Sequence, residues 1–216
     1  MTSSGTGWAP CQTAESAAWL DTAGYPYPVD RTGKGWLNDR FRNLIRILHP
    51  AYIGEEEEPV PWRRIAEHNS VEIAGPVTFG EIAGNPSPNF VLREVYDTTP
   101  EMGSLPAELT PAVYRLLKDA QYGLIWDGFA DPGLERYLEP AARFRMKGER
   151  IVYKSLVRDD STRFTLDRTP SFWWPQSRNW CAATGLDSVE TLVASSDIEI
   201  LDKIAKHPAL EVQFLR

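Results

Sequence analysis

The chain has 216 residues, of which 42% are hydrophobic and 25% are charged, and its formal net charge is −7 at pH 7. This composition is typical of a folded globular protein, because disordered chains contain few large apolar side chains. The acidic balance argues against a nucleic-acid partner, since phosphate binding needs a surplus of Lys and Arg on the contacting face. We expect one domain over residues 1–216.

The sequence contains no sign of a membrane segment or of a metal site. No apolar run approaches the roughly 20 residues needed to span a bilayer. The start, MTSSGTGWAPCQTAES, lacks the basic and apolar regions of a signal peptide. Cys11 and Cys181 belong to no CxxC motif, so reduced thiols are expected. These patterns predict a cytoplasmic protein with no membrane partner, no metal and no cofactor.

The first third of the chain predicts three elements. Residues 1–35 mix Gly, Pro, Ser and Thr, which favours a loosely packed N-terminal segment with one short helix after Thr13. In FRNLIRILHPAY, Ile45 and Ile47 alternate with Arg46 and favour a strand, although the leucines of this stretch also fit a helix. VPWRRIAEHN then predicts a helix that begins beside Pro61.

The middle of the chain predicts an irregular connection over residues 75–108, where Pro and Gly are frequent. LTPAVYRLLKDAQYG predicts a helix with Thr110 as its N-cap and Pro111 at its first position. LIWDGFAD and RFRMKGERIVYKSLV read as strands, the latter folded into a hairpin at residues 147–149.

The C-terminal part predicts a strand pair, a helix and a last strand. NWCAATG suits a central strand, with Trp180 and Ala182 on one face and Cys181 and Ala183 on the other. ETLVAS is its hairpin partner or a helix, the next helix starts with a Ser196 capping box, and LEVQFL is the last strand. The order of elements predicts an α+β fold, with a mainly antiparallel sheet covered by helices on one face.

Catalytic motifs are lacking in the sequence, which contains no G-x-S-x-G, H-E-x-x-H, Walker or G-x-G-x-x-G pattern. His49 and His207 each precede Pro-Ala and read as the ends of elements, while His68 reads as the C-terminus of a helix. Cys181 lies in a predicted apolar strand, where a cysteine usually behaves as an inert small hydrophobic residue rather than as a nucleophile.

Charge is segregated along the chain. Residues 140–180 hold nine basic and four acidic side chains, while residues 54–72 hold six Glu and two Arg. The run EEEE at 55–58 is interpreted either as a solvated loop or as a docking patch for a basic partner.

The stretch SFWWPQSRNWCAATG at 171–185 concentrates tryptophan around a proline and an arginine. Trp173 and Trp174 can form a structural corner that holds a loop on the sheet, because each indole buries a large area. They can instead form a recognition patch, since Trp and Arg dominate binding hot spots. In the structural corner, Arg178 is expected to stack on an indole or to pair with Asp187.

These motifs resemble an uncharacterised actinobacterial protein family of similar length, to which no activity is assigned. The resemblance rests on an R-x-x-HPA element, a tryptophan-led helix, a WWP-x-x-R-x-W-x-x-A-T run, an acidic residue and a final P-x-LE strand. The corresponding residues here are Arg46, His49, Pro50 and Ala51; Trp62; Trp173, Trp174, Pro175, Arg178, Trp180, Ala183 and Thr184; Asp187; and Pro208, Leu210 and Glu211.

The favoured function is a non-catalytic, partner-binding or regulatory protein of the immunity or antitoxin kind, with a protein partner bound by Trp173, Trp174, Arg178 and Asp187. One alternative is an enzyme acting on a nucleotide or another anionic small molecule, with His49, Arg46 and Arg178 around a pocket. A second alternative is a structural or assembly subunit, which would expose a large apolar surface.

Overall fold

The fold is known from a computed structural model. It describes residues 7–20, 37, 40–73, 75–84, 95–129, 131–146, 150–159 and 168–215. Outside these ranges lie the hairpin turn expected at 147–149 and most of the expected N-terminal segment.

A nine-stranded sheet dominates the described residues, and a two-stranded sheet lies beside it. The strands are β1 (Trp8–Pro10), β2 (Asn43–Leu48), β3 (Ala51–Ile53), β4 (Glu58–Val60), β5 (Tyr122–Trp126), β6 (Arg143–Phe144), β7 (Tyr153–Arg158), β8 (Phe172–Trp174), β9 (Trp180–Thr184), β10 (Glu190–Ser195) and β11 (Val212–Leu215). The large sheet has the order β1-β7-β5-β8-β9-β10-β2-β11, with β6 also paired to β7, and β3 pairs with β4.

Every pairing between these strands is antiparallel. The helices are α1 (Trp62–His68), α2 (Phe79–Ile82), α3 (Thr110–Leu116), α4 (Pro132–Leu138) and α5 (Ile198–Ala205), with a 3₁₀ helix at Glu15–Leu20. The predicted α+β class with a mainly antiparallel sheet is therefore confirmed.

The two faces of the large sheet bury separate cores. On one face α3, α4 and α5 cover an apolar core that includes Ile45, Trp173 and Val193. On the other face the 3₁₀ helix packs its Trp19 and Leu20 against the sheet, within a second core. The helices α3, α4 and α5 thus share one face of the sheet, while the 3₁₀ helix, Leu37 and Phe41 contribute to the second core on the other face.

A third core lies beyond the end of β2, between the small sheet, α1 and α2. Its centre is Trp62, which is fully buried at the first position of α1 together with Ile65. Residues 75–108 contribute α2 and the buried Val95 and Tyr96 to this core. Part of the expected irregular connection therefore packs against the small sheet.

Of the expected loose N-terminal segment, only residues 7–20 are described. In this part Trp8 is fully buried in β1, and Ala17 and Leu20 are buried in the 3₁₀ helix. The prediction for the rest of 1–35 falls on residues that the structure does not describe.

Several local predictions are confirmed. Residues 43–48 form the strand β2, and β9 and β10 form the expected hairpin. Trp180 and Ala182 face the α-helical side of the sheet, while Cys181 and Ala183 face the opposite core.

Two predicted helix caps are wrong. Helix α5 is capped by Asp197, whose carboxylate accepts from the Glu199 N–H at 2.9 Å, whereas the expected cap was Ser196. Helix α3 begins at Thr110, but its hydroxyl donates to the Pro106 carbonyl at 2.9 Å instead of accepting from the first turn.

Candidate functional site

The tryptophans of the stretch at 171–185 lie in the core. Trp173 and Trp174 belong to β8, where the alternation of the strand sends them to opposite faces of the sheet, and both are fully buried. Trp173 packs on Tyr114 with ring centroids 4.6 Å apart, and Trp174 packs edge-on against Trp19 at 5.6 Å. A recognition patch needs exposed rings, so this structure realises the structural alternative for these two residues.

The indole N–H groups of the stretch have unequal surroundings. Trp180 donates its N–H to Asp119 at 3.1 Å. The N–H groups of Trp173 and Trp174 are buried and find no acceptor among the described residues. A buried unpaired donor costs free energy, so these two residues stabilise the fold through apolar area and ring packing.

Arg178 and Asp187 do not meet. Arg178 is exposed in the turn before β9, with a φ of 55°, and Asp187 is exposed in the turn after β9. The five residues of β9 separate the two turns by about 17 Å. The expected ion pair is therefore wrong, and of the two turns only the one that holds Asp187 lies at the His49 end of the sheet.

Arg46 is almost fully buried in β2, and its guanidinium is engaged by the protein itself. It donates to Glu190 at 2.8 Å, to the Val77 carbonyl at 2.7 Å, and through Nε to Gln213 at 2.8 Å. The strand register explains this arrangement, because Gln213 lies directly opposite Arg46. An anionic substrate would have to displace these partners.

His49 is fully buried at the end of β2, in a short hydrogen-bonded chain. Its Nδ1 contacts the Glu101 carbonyl at 2.8 Å and its Nε2 contacts the Thr191 hydroxyl at 2.9 Å. Thr191 in turn contacts the Thr184 hydroxyl at 2.8 Å. A carbonyl only accepts, so the neutral ring carries its proton on Nδ1 and Nε2 accepts from Thr191.

The pocket expected from His49, Arg46 and Arg178 is not assembled. Both His49 and Arg46 are buried with local partners, and Arg178 is exposed at the opposite end of β9. This arrangement leaves no shared concave site in which the three side chains could hold one small molecule.

The R-x-x-HPA element, the tryptophan-led helix and the final P-x-LE segment meet around Trp62. The Trp62 indole donates to the His49 carbonyl at 2.7 Å, and Arg46 lies 5.9 Å from the indole ring. The Glu211 carboxylate accepts from the backbone N–H of Trp62 at 2.6 Å and of Arg63 at 2.9 Å. Burial raises the pKa of Glu211, and these N–H groups oppose that rise. The motifs thus join α1 to the sheet.

An acidic face lies at the turn between β3 and β4. We use this term for the exposed carboxylates of Glu57, Asp97, Glu101 and Glu108 together with Met102. Asp97 accepts from the Gly54 N–H at 2.8 Å, and Glu108 accepts from the Tyr52 hydroxyl at 2.7 Å.

Glu57 and Glu108 lie close enough to Glu101 to influence its carboxylate. The pKa of Glu101 is raised by partial burial and then by the negative charges of Glu108 and Glu57, against which Arg168 acts in the opposite direction. Burial and the same carboxylates raise the pKa of the Tyr52 hydroxyl. The ion pairs found between described residues join Arg46 to Glu190, and Arg143 and Lys154 to Asp127. None of these pairs includes a carboxylate of the acidic face.

Met102 is the most exposed of the large hydrophobic side chains described, at 62%. Two hydrogen bonds hold the loop that carries Met102. The Glu101 carbonyl accepts from the His49 ring, and the Gly103 N–H donates to the Ser188 carbonyl at 3.1 Å. Gly103 has a φ of 78°, and a Cβ there would lie 2.8 Å from the Leu186 carbonyl oxygen, so only glycine allows this approach. The contact brings the turn of Asp187 beside the acidic face.

The sequence predicted only part of the acidic face. The EEEE run at 55–58 predicted an exposed acidic turn. Glu101, Met102 and Glu108 were missed, because their proximity to the turn depends on the bridge between Tyr52 and Thr98.

No family model, curated protein or solved structure matches this chain. The resemblance to the actinobacterial family therefore stays a prediction from its motifs. Within the described residues, no three His, Cys, Asp or Glu are grouped as a metal ion would require. The described helices all lack the length and apolar character needed to cross a membrane. Cys181 is fully buried, and burial raises the pKa of its thiol.

The buried His49 predicts a loss of stability in acid. Burial lowers its pKa from 6.5 to about 4, so the unfolded chain takes up a proton that the folded chain excludes. The stabilisation is complete above pH 6.5, declines as the pH falls, and is lost below about pH 4. Its size is about 3 kcal/mol at neutral pH.

Urea unfolding at pH 7 and pH 4 checks this expectation on wild type and on His49→Gln. The free energy of unfolding of wild type should fall by about 3 kcal/mol more than that of the variant. Parallel pH dependence in the two proteins would contradict it. An NMR titration of wild type gives a second readout, since the His49 ring signals should stay constant between pH 7 and 5.

Proposed function

We propose that the chain is a non-catalytic partner-binding protein of the immunity or antitoxin kind, and that it binds a basic protein through the acidic face. The observation that carries the proposal is the proximity of Glu57 and Glu108 to Glu101, with the exposed Met102 next to Glu101 in the chain. Such a face attracts a basic surface at long range and offers one apolar anchor for close contact.

The anchoring of the loop favours binding over simple solvation of the charges. The Glu101 carbonyl accepts from the His49 ring and the Gly103 N–H donates to the Ser188 carbonyl, so the backbone on both sides of Met102 is already ordered before a partner covers it. Of the residues expected to bind a partner, Asp187 lies beside this face and contributes a further carboxylate. Trp173 and Trp174 support the face only indirectly, as part of the core.

The enzyme alternative has less support. The proposed pocket residues do not converge, and the donors of Arg46 already have protein acceptors. The proposal therefore assigns His49 and Arg46 to the stability of the end of the sheet that carries the acidic face.

Affinity capture from a lysate of the source cell, followed by mass spectrometry, tests the proposal on three proteins. They are wild type, the charge reversal Glu57→Lys/Glu101→Lys, and the control Glu135→Lys/Glu139→Lys, which makes the same charge change on exposed positions in and next to α4. We expect a basic protein to be retained by wild type and by the control, and to be lost by the charge reversal.

All three proteins must give the same circular dichroism spectrum and unfolding midpoint. The two substituted glutamates of the acidic face have exposed side chains, so the fold should tolerate lysine there. If the folded charge reversal captures the same basic protein as wild type, the acidic face is not the binding surface.

A further inference from the structure

The two edges of the nine-stranded sheet are built differently. β1 and β6, which pair with successive parts of β7, form one edge, and β11 forms the other. In an antiparallel sheet the backbone groups of alternate residues point toward the neighbouring strand and away from it, so an edge strand has an outward set that needs partners or protection.

The β1 edge is protected. Gly7 and Cys11 bond toward β7, which leaves Trp8 and Pro10 pointing outward. Pro10 has no N–H to offer, and the Tyr137 hydroxyl donates to the Trp8 carbonyl at 2.7 Å. A proline and a capped carbonyl are devices that prevent strand addition.

The β11 edge lacks these devices. The Glu211 carbonyl accepts from the Leu48 N–H at 2.9 Å, which sets the alternation and leaves Val212 and Phe214 pointing outward. In the described structure the backbone groups of these two residues have no partner on that side. The strand reads Val-Gln-Phe-Leu, without charge or proline.

The side chains along this edge are also apolar and partly uncovered. Phe214 is 44% exposed, and Ile198, at the start of α5, is 43% exposed. Ile198 follows closely after Ser195, which pairs with Asn43 at the end of the sheet where β11 finishes. Gln213 is already bonded to Arg46, so its polar group does not shield the edge.

We propose that β11 is a dimerisation edge, at which a second copy of this chain adds its own β11 in antiparallel orientation. A two-fold axis at Gln213 would place Val212 opposite Phe214 of the partner subunit. Each of the two symmetric pairs then exchanges both N–H···O bonds, so the outward groups of both strands are satisfied.

A second copy fits this edge because the edge is self-complementary and locally uncharged. The net charge of −7 opposes self-association elsewhere on the surface, whereas β11 brings no like charges together. Four residues per strand bury a small interface, below about 1,200 Å², so the dimer should be weak and dependent on concentration. It uses a surface distinct from the acidic face.

Sedimentation velocity over a range of concentrations tests the dimer on purified full chain. Wild type should shift from 24.4 kDa toward the mass of two chains as concentration rises. Phe214→Lys should raise the dissociation constant about tenfold or more, because lysine on an edge strand opposes pairing. The control Met102→Lys makes the same kind of change on the acidic face and should dimerise like wild type.

Hydrogen exchange on wild type keeps the test independent of whether Phe214→Lys folds. The amides of Val212 and Phe214 should become protected at high concentration and exchange quickly at low concentration. Monomeric wild type throughout the range, a dimer unaffected by Phe214→Lys, or protection of these amides only when another protein is added would each overturn the proposal. Met102→Lys alters the acidic face but leaves β11 intact. A loss of dimerisation in Phe214→Lys alone is therefore independent of whether the acidic face binds a partner.

Discussion

Trp173→Ala is expected to lower the free energy of unfolding by about 3 to 5 kcal/mol, the range observed when a buried aromatic side chain is truncated. Trp173 is fully buried and packs against Tyr114 and Trp180, with ring centroids 4.6 and 5.8 Å apart. Removal of the indole leaves a cavity beneath α3 that its neighbours can close only in part. Such a loss is a large fraction of the stability of an ordinary domain.

Urea unfolding followed by circular dichroism measures this loss. Met102→Ala is the matched control, because that side chain is 62% exposed and its truncation should change stability by no more than about 0.5 kcal/mol. If Trp173→Ala lowers the free energy of unfolding no more than the control does, the indole is not in the core, and the recognition patch becomes the better interpretation of this stretch.

Arg46→Ala should cost about 3 kcal/mol or more of unfolding free energy, because it leaves partly buried partners without their cation. Glu190, Gln213 and the Val77 carbonyl would all lose a charge-assisted hydrogen bond. The Glu190 side chain is 27% exposed, which lets water reach its carboxylate and places the cost toward the lower end of the range for buried pairs.

Arg143→Ala provides the control for this measurement. Arg143 pairs with Asp127 at 3.2 Å, but its side chain is 72% exposed, so its removal should cost less than about 1 kcal/mol. Equal losses from the two substitutions would show that Arg46 is not a buried network residue. The double variant Arg46→Ala/Glu190→Ala should recover part of the loss, since the unpaired carboxylate is then removed.

Periodicity was sufficient to predict much of the fold. The alternation of Ile45 and Ile47 with Arg46 identified β2, and the small residues of NWCAATG identified β9 with both of its faces correctly assigned. These signals succeed because a strand between two cores repeats every second residue. Helix caps were less predictable, since Ser196 and Asp197 are both good caps and the backbone path decides between them.

The candidate site depended on contacts that a single sequence does not encode locally. From the sequence, Trp173 and Trp174 fit a structural corner or a recognition patch, and only the pairing of their strand with β5 shows that they are buried. The acidic face combines residues of the turn at 55–58, which the sequence predicted to be exposed, with Glu101 and Glu108, which follow some fifty residues later in the chain. That proximity follows from chain topology, which short-range patterns do not contain.

A binding titration tests most directly whether the acidic face binds a basic protein. The protein captured by wild type should be titrated against wild type, Glu57→Lys/Glu101→Lys and Glu135→Lys/Glu139→Lys at low and physiological salt. We expect about tenfold weaker binding or more for the first variant, wild-type affinity for the second, and weaker wild-type binding at the higher salt. Equal affinity of the folded charge reversal and wild type would contradict it.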